Sequence, residues 1–313
     1  MNLMLGSHLS IAGGMVNALD EAGRLKLDCV QVFTKNQRQW KVPPLKDSDR
    51  EDWLEGLDRL GWRGDEAIRV ISHNSYLINM ASPEKEISEK SIALQTEELE
   101  RCEQLEIPLC VAHPGAHLGK PRRRGELNTL GGDPSRDELA GLKRIARALD
   151  RIHRDLSGYE TVTCLETTVG SGTNLGYDFS HLAWIRQNVR EPERIAFCFD
   201  TCHVTAAGYD MSTPDGASSV MDIWDTICGN DHLAVFHFND SKGAVGSRID
   251  RHEHIGKGTC GRSCFRHILQ EEAFAGVPKI LETAKEQDDR GRDMDRVNVD
   301  CLKRIARGRP SRV

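Results

Sequence analysis

No apolar stretch in this chain approaches the roughly 20 residues that a membrane-spanning helix needs. The first residues, MNLMLGSHLS, read as a strand and not as a basic-then-apolar leader. With both signals missing, no membrane association is expected, and the compartment reads as intracellular: cytoplasmic if bacterial, nuclear or mitochondrial if eukaryotic. Aromatic residues are scarce at 5% while charged residues reach 29%, the balance of a globular protein facing water. Paired cysteines are missing too. The ten cysteines include no C-x-x-C, and several lie inside apolar runs (CVQVFT, LCVAH, TCLET, FCFD), where the thiol acts as a small hydrophobe. Disulfides are therefore not expected. There is also no excess of basic charge. A net charge of −6 argues against a general nucleic-acid binder, unless bound divalent metals supply positive charge where a phosphate approaches.

What is present is a repeat of apolar, β-rich runs: LMLGSH (3–8), CVQVFT (29–34), IRVISH (68–73), PLCVAH (108–113), TVTCLE (161–166), RIAFCFD (194–200), LAVFHF (233–238) and PKILE (278–282). Near-continuous apolar runs suit strands buried on both faces. Each is followed by a segment long enough for a helix, for example 17–27, 89–105, 137–152 and 297–308. Eight such units predict an α/β fold, a single (β/α)₈ TIM barrel spanning 1–313. A doubly wound open sheet is the competing architecture, and the lack of a G-x-G-x-x-G after the first strand disfavours it. Outside the repeat, GKPRRRGELNTLGGDPSRD (119–137) reads as a long polar, basic loop, its Arg122, Arg123 and Arg124 either solvated or available to phosphates. The tail from about 308 reads as disordered.

The chemistry sits where the strands end. His8, His73, His113, Glu166, Asp200, His237 and Glu282 each close an apolar run, and the C-terminal strand ends of a barrel meet on one face, where active sites lie. One such histidine is more often structural than a ligand; so many together outweigh that reading. Two groups flank them. FCFDTCHVTAAGYD (197–210) brings Cys198, Asp200, Cys202 and His203 close in sequence, and RIDRHEHIG (248–256) places Asp250 and His252 two apart, on one side of an extended segment, with His254 continuing the alternation. His117 and His181 stand alone and read as surface or helix residues. Mixed imidazole and carboxylate donors suit Zn²⁺ or Mn²⁺ in a catalytic site. The candidates are too many for one tetrahedral ion and could hold two or three. Clustered metals clamp the attacking and leaving oxygens of a phosphoester, so phosphodiester hydrolysis is the natural inference, with a two-metal sugar isomerase as the alternative.

GSHLSIAGG (6–14), VFTKNQRQW (32–40), SHNSYLINM (72–80), RCEQL (101–105), AHPGAHL (112–118), NLGYDF (174–179), FDTCHVTAAGYD (199–210), HFNDSK (237–242), GSRIDRHEHIGKG (246–258) and LET (281–283) span almost the whole chain. In order and spacing they resemble the endonuclease IV family of apurinic/apyrimidinic endonucleases. The resemblance implies a (β/α)₈ barrel with three Zn²⁺ ions: His73, His113 and Glu166 on the first; Glu166, Asp200, His237 and Glu282 on the second; His203, Asp250 and His252 on the third. Mn²⁺ would fit the same ligands. Glu166, Asp200 and Glu282 would then be catalytic, His8 and His254 would support the ligands, Cys198 would pack one layer below them, and Cys202 would be a turn residue. The implied reaction is hydrolysis of the phosphodiester 5′ to an abasic site in duplex DNA, leaving a 3′-hydroxyl and a 5′-deoxyribose phosphate, together with trimming of blocked 3′ ends. A monomer is expected, with Arg38, Tyr76 and Leu77 as probes of the duplex and Gln37, Lys242 and Arg251 as weaker phosphate or sugar contacts. A non-catalytic abasic-site binder remains a third reading. This chain departs from the family at Asn74, where Asp is frequent, in ETTVGSG (166–172), and in LETAK where LETPK is common; none of these removes a ligand.

Overall fold

All eight apolar runs become parallel strands. In the computed structural model, which describes residues 3–41, 43–121 and 132–308, these are β1 (Leu5–His8), β2 (Cys29–Val32), β3 (Val70–His73), β4 (Leu109–Ala112), β5 (Val162–Glu166), β6 (Ile195–Asp200), β7 (Leu233–His237) and β10 (Lys279–Leu281). They close in the order β1-β10-β7-β6-β5-β4-β3-β2, so the barrel and not the open sheet is correct. Between β7 and β10 the chain makes a small antiparallel hairpin outside the barrel, β8 (Asp240–Ser241) with β9 (His252–Glu253). Arg122, Arg123, Arg124 and the tail beyond 308 lie outside the described residues.

Strand periodicity explains how the barrel carries a site. Alternate side chains point inward, and below the mouth they are apolar: Cys29, Ile71, Leu109, Val111, Cys164, Cys198, Val235 and Ile280 form their own cluster. Two residues beyond that floor come the polar strand ends: His73 after Ile71, His113 after Val111, Glu166 after Cys164, Asp200 after Cys198, His237 after Val235, Glu282 after Ile280. Cys198 thus packs one layer below the ligands, as expected. β1 contributes only Gly6 to the floor, because a Cβ there would meet the Cys29 carbonyl oxygen at 2.1 Å.

The outer helices are α1 (Val16–Leu25), α2 (Asp47–Leu60), α3 (Lys85–Gln104), α4 (Arg136–Asp155), α5 (Phe179–Gln187), α6 (Thr201–Ala207), α7 (Pro214–Cys228), α8 (Gly261–Gln270) and α9 (Met294–Ala306). α4 shows how sequence sets them. Ser135 and Glu138 form a reciprocal capping box at its start, and Leu142, Ile145, Leu149 and Ile152 bury one stripe. His153, near its end, is buried; burial and the neighbouring Arg194 push its pKa from 6.5 down to about 4. Between those values the unfolded chain binds a proton that the fold resists, so His153 costs stability as pH falls through that window. Thermal melts should show a loss of up to about 1.4 kcal/mol per pH unit, and His153→Leu should remove that component; an unchanged slope in the variant would contradict it.

All ten cysteines are free and buried. Cys202 is not a turn residue: it lies in the first turn of α6, its Sγ 3.7 Å from the Arg251 carbonyl oxygen. His117 is buried, not superficial, and His181, a helix residue of α5 as expected, is buried too; their Nδ1 atoms accept the Gly119 and Gly176 amides.

Candidate metal centre

The nine residues expected as ligands converge at the C-terminal mouth of the barrel. Glu166, at the end of β5, is their centre. Its Oε2 lies 3.2 Å from His73 Nε2 and 3.0 Å from His113 Nε2, and its Oε1 lies 3.1 Å from His203 Nδ1 and 3.0 Å from His237 Nδ1. His237 Nδ1 is also 3.2 Å from Glu282 Oε2 and 3.9 Å from Asp200 Oδ2. Asp250 Oδ1 stands 3.2 Å from His203 Nε2 and 3.6 Å from His252 Nε2. His73, His113 and Glu166 form one group of mutually close donors, Glu166, Asp200, His237 and Glu282 a second, and Asp200, His203 and His252 a third beside Asp250.

The spacing of Asp200 and His203 has a local cause. Asp200 ends β6 and N-caps α6, Oδ1 accepting the His203 amide at 2.7 Å. The cap uses Oδ1, turns Oδ2 toward His237 and His252, and fixes His203 three residues on.

The residues fit metal ions on several counts. Four imidazoles each have one ring nitrogen tied to an acceptor that cannot itself donate. His73 Nδ1 donates to the Asn74 carbonyl at 2.8 Å, His203 Nδ1 to the Thr167 carbonyl at 2.8 Å, His252 Nδ1 to the Glu282 carbonyl at 3.3 Å, and His237 Nε2 to Gln31 Oε1 at 2.8 Å. This fixes the tautomer and leaves Nε2 of His73 and His252 and Nδ1 of His237 facing the carboxylates, the arrangement of metal-bound histidines. His203 Nε2 likewise faces Asp250. Two donors on one tetrahedral zinc stand roughly 3.3 Å apart, close to the separations above. The buried Nε2 of His252 has no hydrogen-bond partner among the described residues.

Charge points the same way. Burial opposes ionisation of Glu166, but His237, His113 and the hydrogen bonds from His113 and His203 outweigh it and hold the carboxyl well below the usual range. Burial disfavours the His237 imidazolium, yet Glu282 and Glu166 push it up to about 9. The carboxylates thus demand cationic charge. Two thiols also come within reach of the donors, Cys198 with Glu166 and His237 and Cys202 with Asp250 and His252; burial raises both, Cys202 up to about 12.

Sequence reasoning missed two amides. Gln31, inward on β2, donates to Glu282 Oε1 at 2.8 Å while holding His237. Asn239 donates to Asp200 Oδ2 at 2.7 Å and accepts the Glu282 amide at 2.8 Å. Gln31 could have been found from its place two residues beyond Cys29. His8 lies 3.3 Å from Glu282 Oε1, a supporting position as expected. His254 is not there: its Nε2 lies 2.9 Å from Glu286 and its Nδ1 accepts Asn298, with no ligand contact among the described residues.

Around the mouth stand the residues read as DNA contacts. Tyr76 is 60% exposed, its ring 5.3 Å from that of His73, 5.9 Å from His113 and 5.7 Å from Phe33. Leu77 and Gln37 are half-buried, and Arg38, Lys242 and Arg251 are exposed. Ser75 Oγ donates to the Gln37 carbonyl at 2.6 Å, joining two of these loops. Lys242 and Arg251 face each other across the β8–β9 hairpin, next to Asp250 and His252.

Comparison with known proteins agrees in fold and extends to sequence. The model of the xylose isomerase-like TIM barrel family matches residues 19–305. A probable endonuclease 4 of Geobacter sulfurreducens is 40% identical over 312 residues, covering 100% of this chain and 97% of that protein. The crystal structure of endonuclease IV from Thermus thermophilus superposes with a TM-score of 0.77 at 29% identity, over 97% of this chain and 99% of the other. A D-tagatose 3-epimerase-like protein also superposes, with a TM-score of 0.68 but 18% identity over 97% of each chain, a likeness of fold alone.

Proposed function

The chain belongs to the endonuclease IV family, and from that premise we propose that it is a zinc enzyme of base excision repair that cuts duplex DNA on the 5′ side of an abasic site. It is a phosphodiester-cleaving hydrolase, dependent on metal, with DNA as its substrate. In the proposed reaction it leaves a 3′-hydroxyl and a 5′-deoxyribose phosphate, trims blocked 3′ ends, and acts as a monomer. No helix among the described residues is long and apolar enough to cross a membrane.

His73, His113 and Glu166 would hold one ion, Glu166, Asp200, His237 and Glu282 a second, and His203, Asp250 and His252 a third; Mn²⁺ would fit the same donors. When bound, zinc supplies Lewis acidity toward the phosphate oxygens and makes water a competent nucleophile near neutral pH. The chain does the rest. Gln31 and Asn239 hold Glu282, Asp200 and His237 in orientation. Tyr76 and Leu77 wedge into the base stack beside the lesion, letting the abasic sugar rotate toward the centre where no base opposes it. Gln37, Arg38, Lys242 and Arg251 contact the flanking backbone.

The observation that carries this reading over a two-metal sugar isomerase is the third donor group, built from Asp200, His203 and His252 beside Asp250. Elemental analysis of zinc-loaded protein should therefore give three zinc per chain, and stripping them with dipicolinate should lower the melting temperature by on the order of 10 °C. Saturation at two, with turnover of a ketose, would favour the isomerase.

A further inference from the structure

Beside the apolar Ile92, Leu94, Leu99 and Cys102, α3 buries a run of polar residues. Ser91, Gln95, Glu98 and Arg101 follow one another at helical spacing on a single face, and all are buried, Glu98 to 1% exposure. A buried carboxylate or guanidinium is costly unless its bonds are fully made, so their destinations matter. Arg101 donates to the Thr34 carbonyl at 3.1 and 2.6 Å and to the Pro43 carbonyl at 3.4 Å. Glu98 Oε2 accepts the Thr34 hydroxyl at 2.9 Å; its Oε1 accepts the Ser75 amide at 3.0 Å and lies 2.9 Å from the Lys35 ammonium, itself buried. Gln95 accepts the Asn74 side-chain amide at 2.8 Å, and Ser91 accepts the Asn79 backbone amide at 2.9 Å.

Apart from a 4.0 Å contact of Gln95 Nε2 with Cys110 Sγ, every one of these bonds ends on one of two loops. Thr34 and Lys35 lead into Gln37 and Arg38; Asn74 and Ser75 lead into Tyr76 and Leu77. None of them reaches a metal-donor side chain. Within the stripe, Glu98 is the group bonded to both loops: its carboxylate accepts the Thr34 hydroxyl and the Ser75 amide and pairs with the Lys35 ammonium.

We infer that Glu98 is a positioning residue: with the polar stripe of α3 it locks the β2–α2 and β3–α3 loops into one rigid surface that receives the duplex at the lesion. The inference rests on the DNA-incision reading above. It also gives Asn74 a task, since an amide at that position can donate to Gln95 whereas an ionised Asp could only accept.

Glu98→Gln keeps the shape but removes the charge that faces Lys35 and one of the two accepting oxygens. Its KM for a duplex with a single abasic analogue should rise at least about tenfold, the size expected when a loop shifts by a fraction of an ångström to an ångström. The kcat at saturating duplex and the zinc content should stay within about twofold. Amide hydrogen exchange should rise over residues 33–41 and 74–80 and not in the barrel strands. Thr34→Val, which removes only the Oε2 contact, should move KM and exchange the same way by less, and it serves if Glu98→Gln folds poorly. Unchanged KM in both variants would overturn the inference. So would exchange rising throughout the barrel with kcat and zinc content falling together, the result of a purely structural role. Failure of the unmodified protein to incise would defeat the DNA reading itself, whatever the variants do.

Discussion

Glu166→Gln is expected to lower kcat for abasic-site incision by about 10³-fold, leaving affinity for the same duplex within a few-fold. The reason is local. Glu166 faces His73, His113, His203 and His237 within 3.0 to 3.2 Å, and it is the residue shared by the first two donor groups. The substitution keeps side-chain volume but removes the charge that all four imidazoles face, and an amide is a poor metal ligand beside a carboxylate. Tyr76, Arg38, Lys242 and Arg251 are untouched, so the duplex is still held. Pre-steady-state cleavage and gel-shift titration separate the two quantities. Incision near the unmodified rate would mean that Glu166 is not central.

Tyr76→Ala should produce the opposite pattern. The ring is 60% exposed yet stands beside His73 and His113, so it can meet a nucleotide entering the centre. Loss of one base–aromatic stack is worth about 1–3 kcal/mol, or roughly 5- to 150-fold in KM for the abasic duplex. Because the residue is exposed, stability should change by no more than about 0.5 kcal/mol, and Tyr76→Phe should recover most of the affinity. If Tyr76 merely packs its loop, the alanine variant would lose stability and keep its KM.

Much of this was legible in the chain because the two signals reinforce each other. An apolar residue two positions before a histidine or carboxylate, as in Ile71-x-His73 or Cys164-x-Glu166, is a strand pattern and a site pattern together, and the barrel turns it into a floor and a ring of donors. The supporting amides were not legible. Gln31 and Asn239 carry no ligand signature, and their role exists only once β2 and the segment after β7 lie across the barrel from each other. His254 misled because alternation along an extended segment does not tell where that segment bends; after β9 the chain turns and His254 meets Glu286 and Asn298. Cys202 misled for a similar reason. Asp200 caps a helix directly at the end of β6, so what reads as a turn is already the first turn of α6. The stripe on α3 was visible as spacing in ALQTEELERC, but polar residues on a helix ordinarily face water, and only the loops folded over it show that this face is inside.

Metal-dependent incision can be measured by incubating the protein with a duplex carrying one abasic analogue, before and after removal of metal with a strong chelator, and mapping the products on a sequencing gel. A single nick 5′ to the lesion with an extendable 3′-hydroxyl is expected, lost on chelation and restored by zinc. An intact strand from protein holding three zinc per chain, or a nick that survives complete metal removal, would contradict it.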